Sequence, residues 1–146
     1  MPDNHNLILK KLNLKITPKR LAILNILADE LVFVSPEEIW KKMKSKFKNI
    51  GLPTVYRILE ELSDGSVVTK IIHPNRQLYY YYCENMNHHH HFICMSCRRV
   101  EDVNLCVAKQ IEKEVSGHLK GKVLSHIIQI NGFCKTCSQK KAPDEN

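Results

Sequence analysis

The chain has 146 residues, 43% hydrophobic and 25% charged, with 22 lysines and arginines against 15 aspartates and glutamates. That length allows one domain or two small ones, and the composition is that of an ordinary globular protein rather than a disordered or fibrous one. No apolar run approaches the ~20 residues a membrane span needs, and the polar, lysine-containing stretch Met1 to Leu14 does not read as a secretory signal. A cytoplasmic location is therefore expected, which argues against the six cysteines forming a disulfide framework. Residues 1–82 carry 13 basic and 8 acidic side chains, and residues 83–146 carry 9 and 7. The positive excess lies in the N-terminal half, as expected of a part that meets a polyanion.

In chain order, Asn6 to Asn13 is a short amphipathic helix candidate, with Leu7, Ile8 and Leu12 apolar. Thr17 and Pro18 supply a cap and a first helical position for a second helix, apolar through Leu21, Ile23, Leu24 and Leu27. Ser35 to Glu38 spells a capping box, with Ile39, Met43 and Phe47 following at helical spacing. Pro53 opens a further helix with Val55, Ile58, Leu59 and Leu62 on one face, ended by Asp64 and Gly65. Val67 to Ile72 and Gln77 to Tyr82 are β-rich and joined by a four-residue turn, so they read as a hairpin. Helices followed by a hairpin predict a winged helix-turn-helix. Thr54, Tyr56 and Arg57 on the later helix are candidate base-reading residues. Lys15, Lys19 and Arg20 are candidates for phosphate or minor-groove contact.

The second half begins with Cys83-Glu84-Asn85-Met86-Asn87-His88-His89-His90-His91-Phe92-Ile93-Cys94-Met95-Ser96-Cys97. From His88 to Val103 the chain is expected to be extended, with a knuckle at Met95 and Ser96. Leu105 to Leu119 is expected to form an amphipathic helix and Val123 to Ile130 a strand. The tail 141–146 is expected to be disordered. Such a unit has a small core and needs a staple. Cys94, Cys97, Cys134 and Cys137 form two Cys-x-x-Cys knuckles, the spacing of a four-thiolate zinc site.

In an extended chain alternate side chains face opposite ways. His89 and His91 then share one side, and His88 and His90 the other, so one strand can feed two metal sites. Cys83, six residues before His89, can fold back toward the first pair, and Asp102 can reach the same cluster. His126, mid-strand in this reading, can join the second pair. Cys106 is expected to pack as a small apolar residue at the start of its helix. A metallohydrolase would need a general base beside an open-coordinate metal; no His-Glu-x-x-His arrangement occurs, so no enzyme is expected.

Several stretches carry a family resemblance. They are Leu14-Lys15-Ile16-Thr17-Pro18-Lys19-Arg20, Gly51-Leu52-Pro53-Thr54-Val55-Tyr56-Arg57-Ile58-Leu59, His88 through Cys97, and Cys134-Lys135-Thr136-Cys137. In order and spacing they resemble the ferric uptake regulator family. The resemblance implies an α+β chain: a winged helix-turn-helix DNA-binding domain at 1–82, a hinge at about 82–87, and a small α/β dimerisation domain at 88–140. It also implies a structural zinc on the four cysteines, a sensory metal near the hinge, and a homodimer on an AT-rich palindromic operator, repressing metal-uptake genes when metal is bound. Iron-sensing members place a histidine before the Ser-x-x-Glu helix, where this chain has Phe33, and a carboxylate before the histidine run, where it has Tyr82 and Cys83. The zinc-sensing branch places a cysteine there, so the resemblance leans to a zinc uptake regulator, with Cys83, His89 and His91 as sensory ligands and His73 or Asp102 as the fourth. Ferrous-iron or peroxide sensing through His89, His91 and Asp102 is the alternative. His88, His90 and His126 form a candidate secondary site, altered by Lys109 where members often place a glutamate.

Overall fold

The computed structural model describes residues 2–85 and 87–140, so the expected tail lies outside the described residues. The chain divides into two compact units, the first ending at Glu84 and the second beginning at Asn85. Among the described residues no helix is long and apolar enough to cross a membrane.

The first unit opens with α1 (Pro2–Lys11) and α2 (Pro18–Asp29). The Thr17 side chain accepts the Arg20 N–H at 3.2 Å, fixing the start of α2 as its position before Pro18 implies. The capping box forms at α3 (Pro36–Met43): Glu38 N–H donates to Ser35 Oγ, and Ser35 N–H donates to the Glu38 carboxylate. Helix α4 spans Leu52–Asp64 and ends at Gly65. The turn between α3 and α4 is pinned by Trp40, whose indole N–H donates to Ile50 O at 3.0 Å while Lys44 Nζ sits 3.4 Å over its ring. Strands β1 (Val68–Ile72) and β2 (Leu78–Tyr82) pair antiparallel from Val68↔Tyr82 to Ile72↔Leu78. Tyr80 also bridges to Val34. The helices share one core in which Ile23, Leu24, Leu59, Leu62 and Tyr80 are buried. Val55, Ile58, Leu59 and Leu62, predicted to share one face of α4, are all buried in it.

The second unit is built on β3 (His90–Cys94), flanked by β4 (Val100–Val103) and, after α5 (Ala108–Gly117), by β5 (Gln129–Gly132); α6 (Lys135–Lys140) follows. The strand order is β4-β3-β5, antiparallel on one side and parallel on the other. The expected strand from Val123 is shorter than its alternating pattern suggests: residues 123–128 are irregular, and Leu124 and Ile127 are 89% and 92% exposed. Helix α5 buries no residue. The buried apolar side chains of this unit are few, chiefly Ile93, Val100 and the sulfur-bearing Cys94 and Cys134. So small a core leaves stability to other means.

Candidate metal centres and nucleic-acid interface

The two cysteine knuckles meet. A turn after β3 carries Cys97, with Arg98 at φ 64 closing it. The Met95 N–H donates to Gly132 O at 2.8 Å, which draws the end of β5 alongside. Gly132 passes so near Phe92 that a Cβ there would stand 3.0 Å from the ring. Cys94, Cys97, Cys134 and Cys137 place their sulfurs within 4.8 Å of one another, and Cys97 Sγ lies 3.8 Å from Cys134 Sγ. A tetrahedral zinc at about 2.3 Å from each sulfur sets neighbouring sulfurs ~3.8 Å apart, so the cysteines fit that ion. Burial pushes the Cys94 thiol up, but the N–H groups of Cys97, Cys134 and Ser96 aimed at its sulfur outweigh this and hold it down at about 6. The Arg99 N–H lowers the Cys97 thiol, yet burial and the three neighbouring sulfurs win and push it up to about 11. One thiolate forms readily and the next resists, because like charges this close need a cation between them. No disulfide is formed.

Around β3 the alternation of the histidines is realised. His89 Nε2 lies 3.0 Å from His91 Nε2, and Asp102 Oδ1 stands 3.6 and 3.7 Å from the two. Asp102 comes within reach because β4 pairs His91 with it. Burial, then His89, lowers the His91 pKa against the pull of Asp102, which favours the neutral, ligating imidazole. On the opposite side His88 and His90 turn to Cys106, their Nε2 atoms 3.3 and 3.0 Å from its sulfur. His126 Nε2 is 3.5 Å from the same sulfur and 3.3 Å from His88 Nε2. His126 reaches this group from the irregular stretch before β5 and not from mid-strand as expected. Cys106 is therefore no apolar filler: it is half-buried among three imidazoles.

Cys83 ends the first unit, following β2 directly, half-buried, with its N–H donating to Val67 O at 3.4 Å. His73 is not brought into any group of ligating side chains among the described residues. Its ring lies against Phe33 and Tyr79, and its Nδ1 accepts the Asn75 N–H at 3.1 Å.

Of the nucleic-acid candidates, Lys15 and Arg57 are exposed, and Lys19, Thr54 and Tyr56 are half-buried. Tyr56 OH donates to Glu37 at 2.9 Å, tying α4 to α3. The Arg20 guanidinium holds both oxygens of Glu61 at 3.1 to 3.3 Å and the Lys15 carbonyl at 3.1 Å, and so joins α2 to α4.

The model of the ferric uptake regulator family matches residues 11–131. The chain belongs to that family. It is accordingly a metal-responsive, DNA-binding transcription regulator, since the family's members are dimeric regulators and not enzymes. It is 32% identical over 145 residues to the ferric uptake regulation protein of Vibrio anguillarum, covering 99% of this chain and 96% of that one. It is 28% identical over 134 residues to the peroxide operon regulator of Bacillus subtilis, covering 91% and 90%. Among solved structures, a zinc uptake regulator complexed with zinc and DNA superposes with a TM-score of 0.77 at 20% identity, covering 94% of this chain and 92% of that one. That likeness establishes a shared fold, and other members of the family carry iron or peroxide in their names.

Proposed function

We propose that this chain is a zinc-sensing repressor of metal-uptake genes, in which Cys83, His89, His91 and Asp102 hold the sensed ion. The observation that carries the reading is the pairing of His89 and His91 with their Nε2 atoms 3.0 Å apart beside Asp102, with a cysteine six residues earlier in the chain. Two imidazoles, a thiolate and one carboxylate suit zinc better than ferrous iron in the presence of oxygen. Cys94, Cys97, Cys134 and Cys137 hold a structural zinc that takes no part in sensing.

The mechanism rests on where the ligands sit. Cys83 directly follows β2, the last strand of the first unit, while His91 lies in β3, the first strand of the second, and His89 just ahead of it. An ion shared between them restricts the 83–89 linker and selects one arrangement of the two units. In that arrangement two copies set their α4 helices about one turn apart on an AT-rich palindromic operator. Arg57, Tyr56 and Thr54 then read bases, and Lys15 and Lys19 meet phosphates. The exposed Leu119, Leu124 and Ile127 of the second unit support a second copy as the partner that covers them.

The test is a zinc titration against a coloured chelator, with the wild type and Cys83→Ser side by side, followed by operator binding with and without zinc. One resistant zinc and a second that the variant loses, together with its metal-dependent DNA binding, is the expected result. Undiminished metal dependence in Cys83→Ser sinks the proposal. A second reading is favoured by one observation, the carboxylate equidistant from two histidines, which is a ferrous-iron donor set. Iron bound by both proteins equally, with oxidation of His89 or His91 on peroxide exposure, would select it.

A further inference from the structure

We propose that Glu37, on α3, is the positioning residue for Tyr56 on α4: its carboxylate holds the phenol in one orientation and so sets which base feature the ring can read. This role rests on the proposed reading of Tyr56 as a base-contacting residue.

The two groups come from neighbouring helices. Tyr56 lies one turn into α4, between the buried Val55 and Ile58, and stands off the face that packs the core. Its hydroxyl donates to Glu37 Oε1 at 2.9 Å. Glu37 sits in the first turn of α3, whose start is set by the capping box of Ser35 and Glu38. The bond from Trp40 to Ile50 O holds the α3–α4 turn. The acceptor is thus presented from a capped helix whose place beside α4 is fixed.

Packing alone does not orient the ring. Tyr56 is half-buried and, with Glu37, lines an open cleft of about 690 Å³ between α3 and the wing residues Arg76 and Gln77. A ring released from Glu37 has room to change rotamer, and a step of ~120° in χ1 carries its edge well away from its present place. A hydrogen bond to a charged acceptor is stronger than a neutral one, and here it selects the rotamer before DNA arrives.

The same bond limits what the ring can read. A phenol has one proton to donate, and this one is committed to Glu37. Burial, then the bond to Glu37, hold the hydroxyl above its ordinary range, so it stays a donor. No proton is left for guanine O6 or N7, or for thymine O4. The apolar ring edge remains, and its match in the major groove is the thymine C5-methyl. Glu37 is exposed, and a carboxylate there repels the phosphates of every duplex alike. Its contribution is therefore to specificity and not to affinity.

The test uses the full chain with zinc bound and a duplex that the protein itself selects from random DNA. Each thymine is replaced in turn by uracil, which removes only the methyl. We expect affinity to fall about fourfold at one thymine per half-site, the worth of one buried methyl, and this penalty to vanish in Tyr56→Ala. Glu37→Ala is expected to cut the penalty below about twofold, whereas Glu37→Gln, whose amide oxygen accepts the same proton, keeps it. Both Glu37 variants remove the charge and should tighten binding to random DNA equally, so charge does not separate them. Glu37 is exposed, so neither variant disturbs the core. A penalty unchanged in Glu37→Ala, or lost equally in Glu37→Gln, overturns the proposal while leaving Tyr56 as a base reader. A penalty that survives Tyr56→Ala, or none at any thymine, overturns the reading of Tyr56 and the role of Glu37 with it.

Discussion

Cys97 Sγ lies 3.8 Å from Cys134 Sγ, although 37 residues separate them. That contact closes a loop containing β4, α5 and β5, so whatever holds the sulfurs holds the second unit. Structural zinc contributes ~10–16 kcal/mol of apparent binding energy at pH 7 in small domains, more than the few kcal/mol a core of this size supplies.

Cys97→Ser is therefore expected to lose one zinc per chain and leave the second unit unfolded. Limited proteolysis should digest residues after 84 while the first unit resists. A strong chelator applied to the wild type should reproduce the pattern, and a second unit that resists digestion without zinc would refute the staple.

Arg20 and Arg57 are expected to separate stability from recognition. The Arg20 side chain is 14% exposed and bound to Glu61, so Arg20→Ala should destabilise the first unit by about 1–2 kcal/mol in urea. Arg57 is exposed, so Arg57→Ala should move stability by less than about 0.5 kcal/mol yet weaken operator binding by about 1–3 kcal/mol. Reversed effects would exchange the two roles.

Glu60 predicts an acid limb of stability. Its hydrogen bonds to Lys70 and to Tyr80 hold its carboxyl below the usual carboxylate range. A depressed folded-state value contributes stability that is present above the unfolded value, ~4.3, and lost as pH falls through the folded one. The urea midpoint should fall between about pH 5 and pH 3, and Glu60→Gln should flatten that fall. Parallel profiles for the two proteins would place the acid sensitivity elsewhere.

Ser35→Ala removes one half of the capping box at α3. A loss of about 1 kcal/mol is expected, read as a lower urea midpoint with an unchanged slope. Ser35→Asp, which keeps an acceptor, should recover most of it.

Much of this architecture is legible from local rules. Thr17, Ser35 and the Asp64-Gly65 pair act over three or four residues, so the ends of α2, α3 and α4 follow from the chain alone. The alternation of His88 to His91 on a strand-like segment likewise divides the histidines into two pairs without knowledge of the fold. The cysteine knuckles need only their spacing. Where the reading went astray, the deciding partner was distant in sequence. Val123 to Ile128 alternates like a strand, but β3 offers pairing only from Gln129 onward, so the backbone upstream stays irregular. The tie between Arg20 and Glu61, 41 residues away, is likewise invisible to any local pattern. The contacts of His73 with Phe33 and Tyr79 also join positions far apart in the chain.

Cys106 shows the division most clearly. By itself the sequence determined which residues can bind a soft cation, since thiolate and imidazole chemistry belongs to the side chain and strand parity to the backbone. Only the tertiary structure decided which of them meet. Cys106 and His126 reach His88 and His90 because the chain leaves β4, runs through α5 and returns beside β3. That path is set by long-range strand pairing, which no short window of sequence encodes.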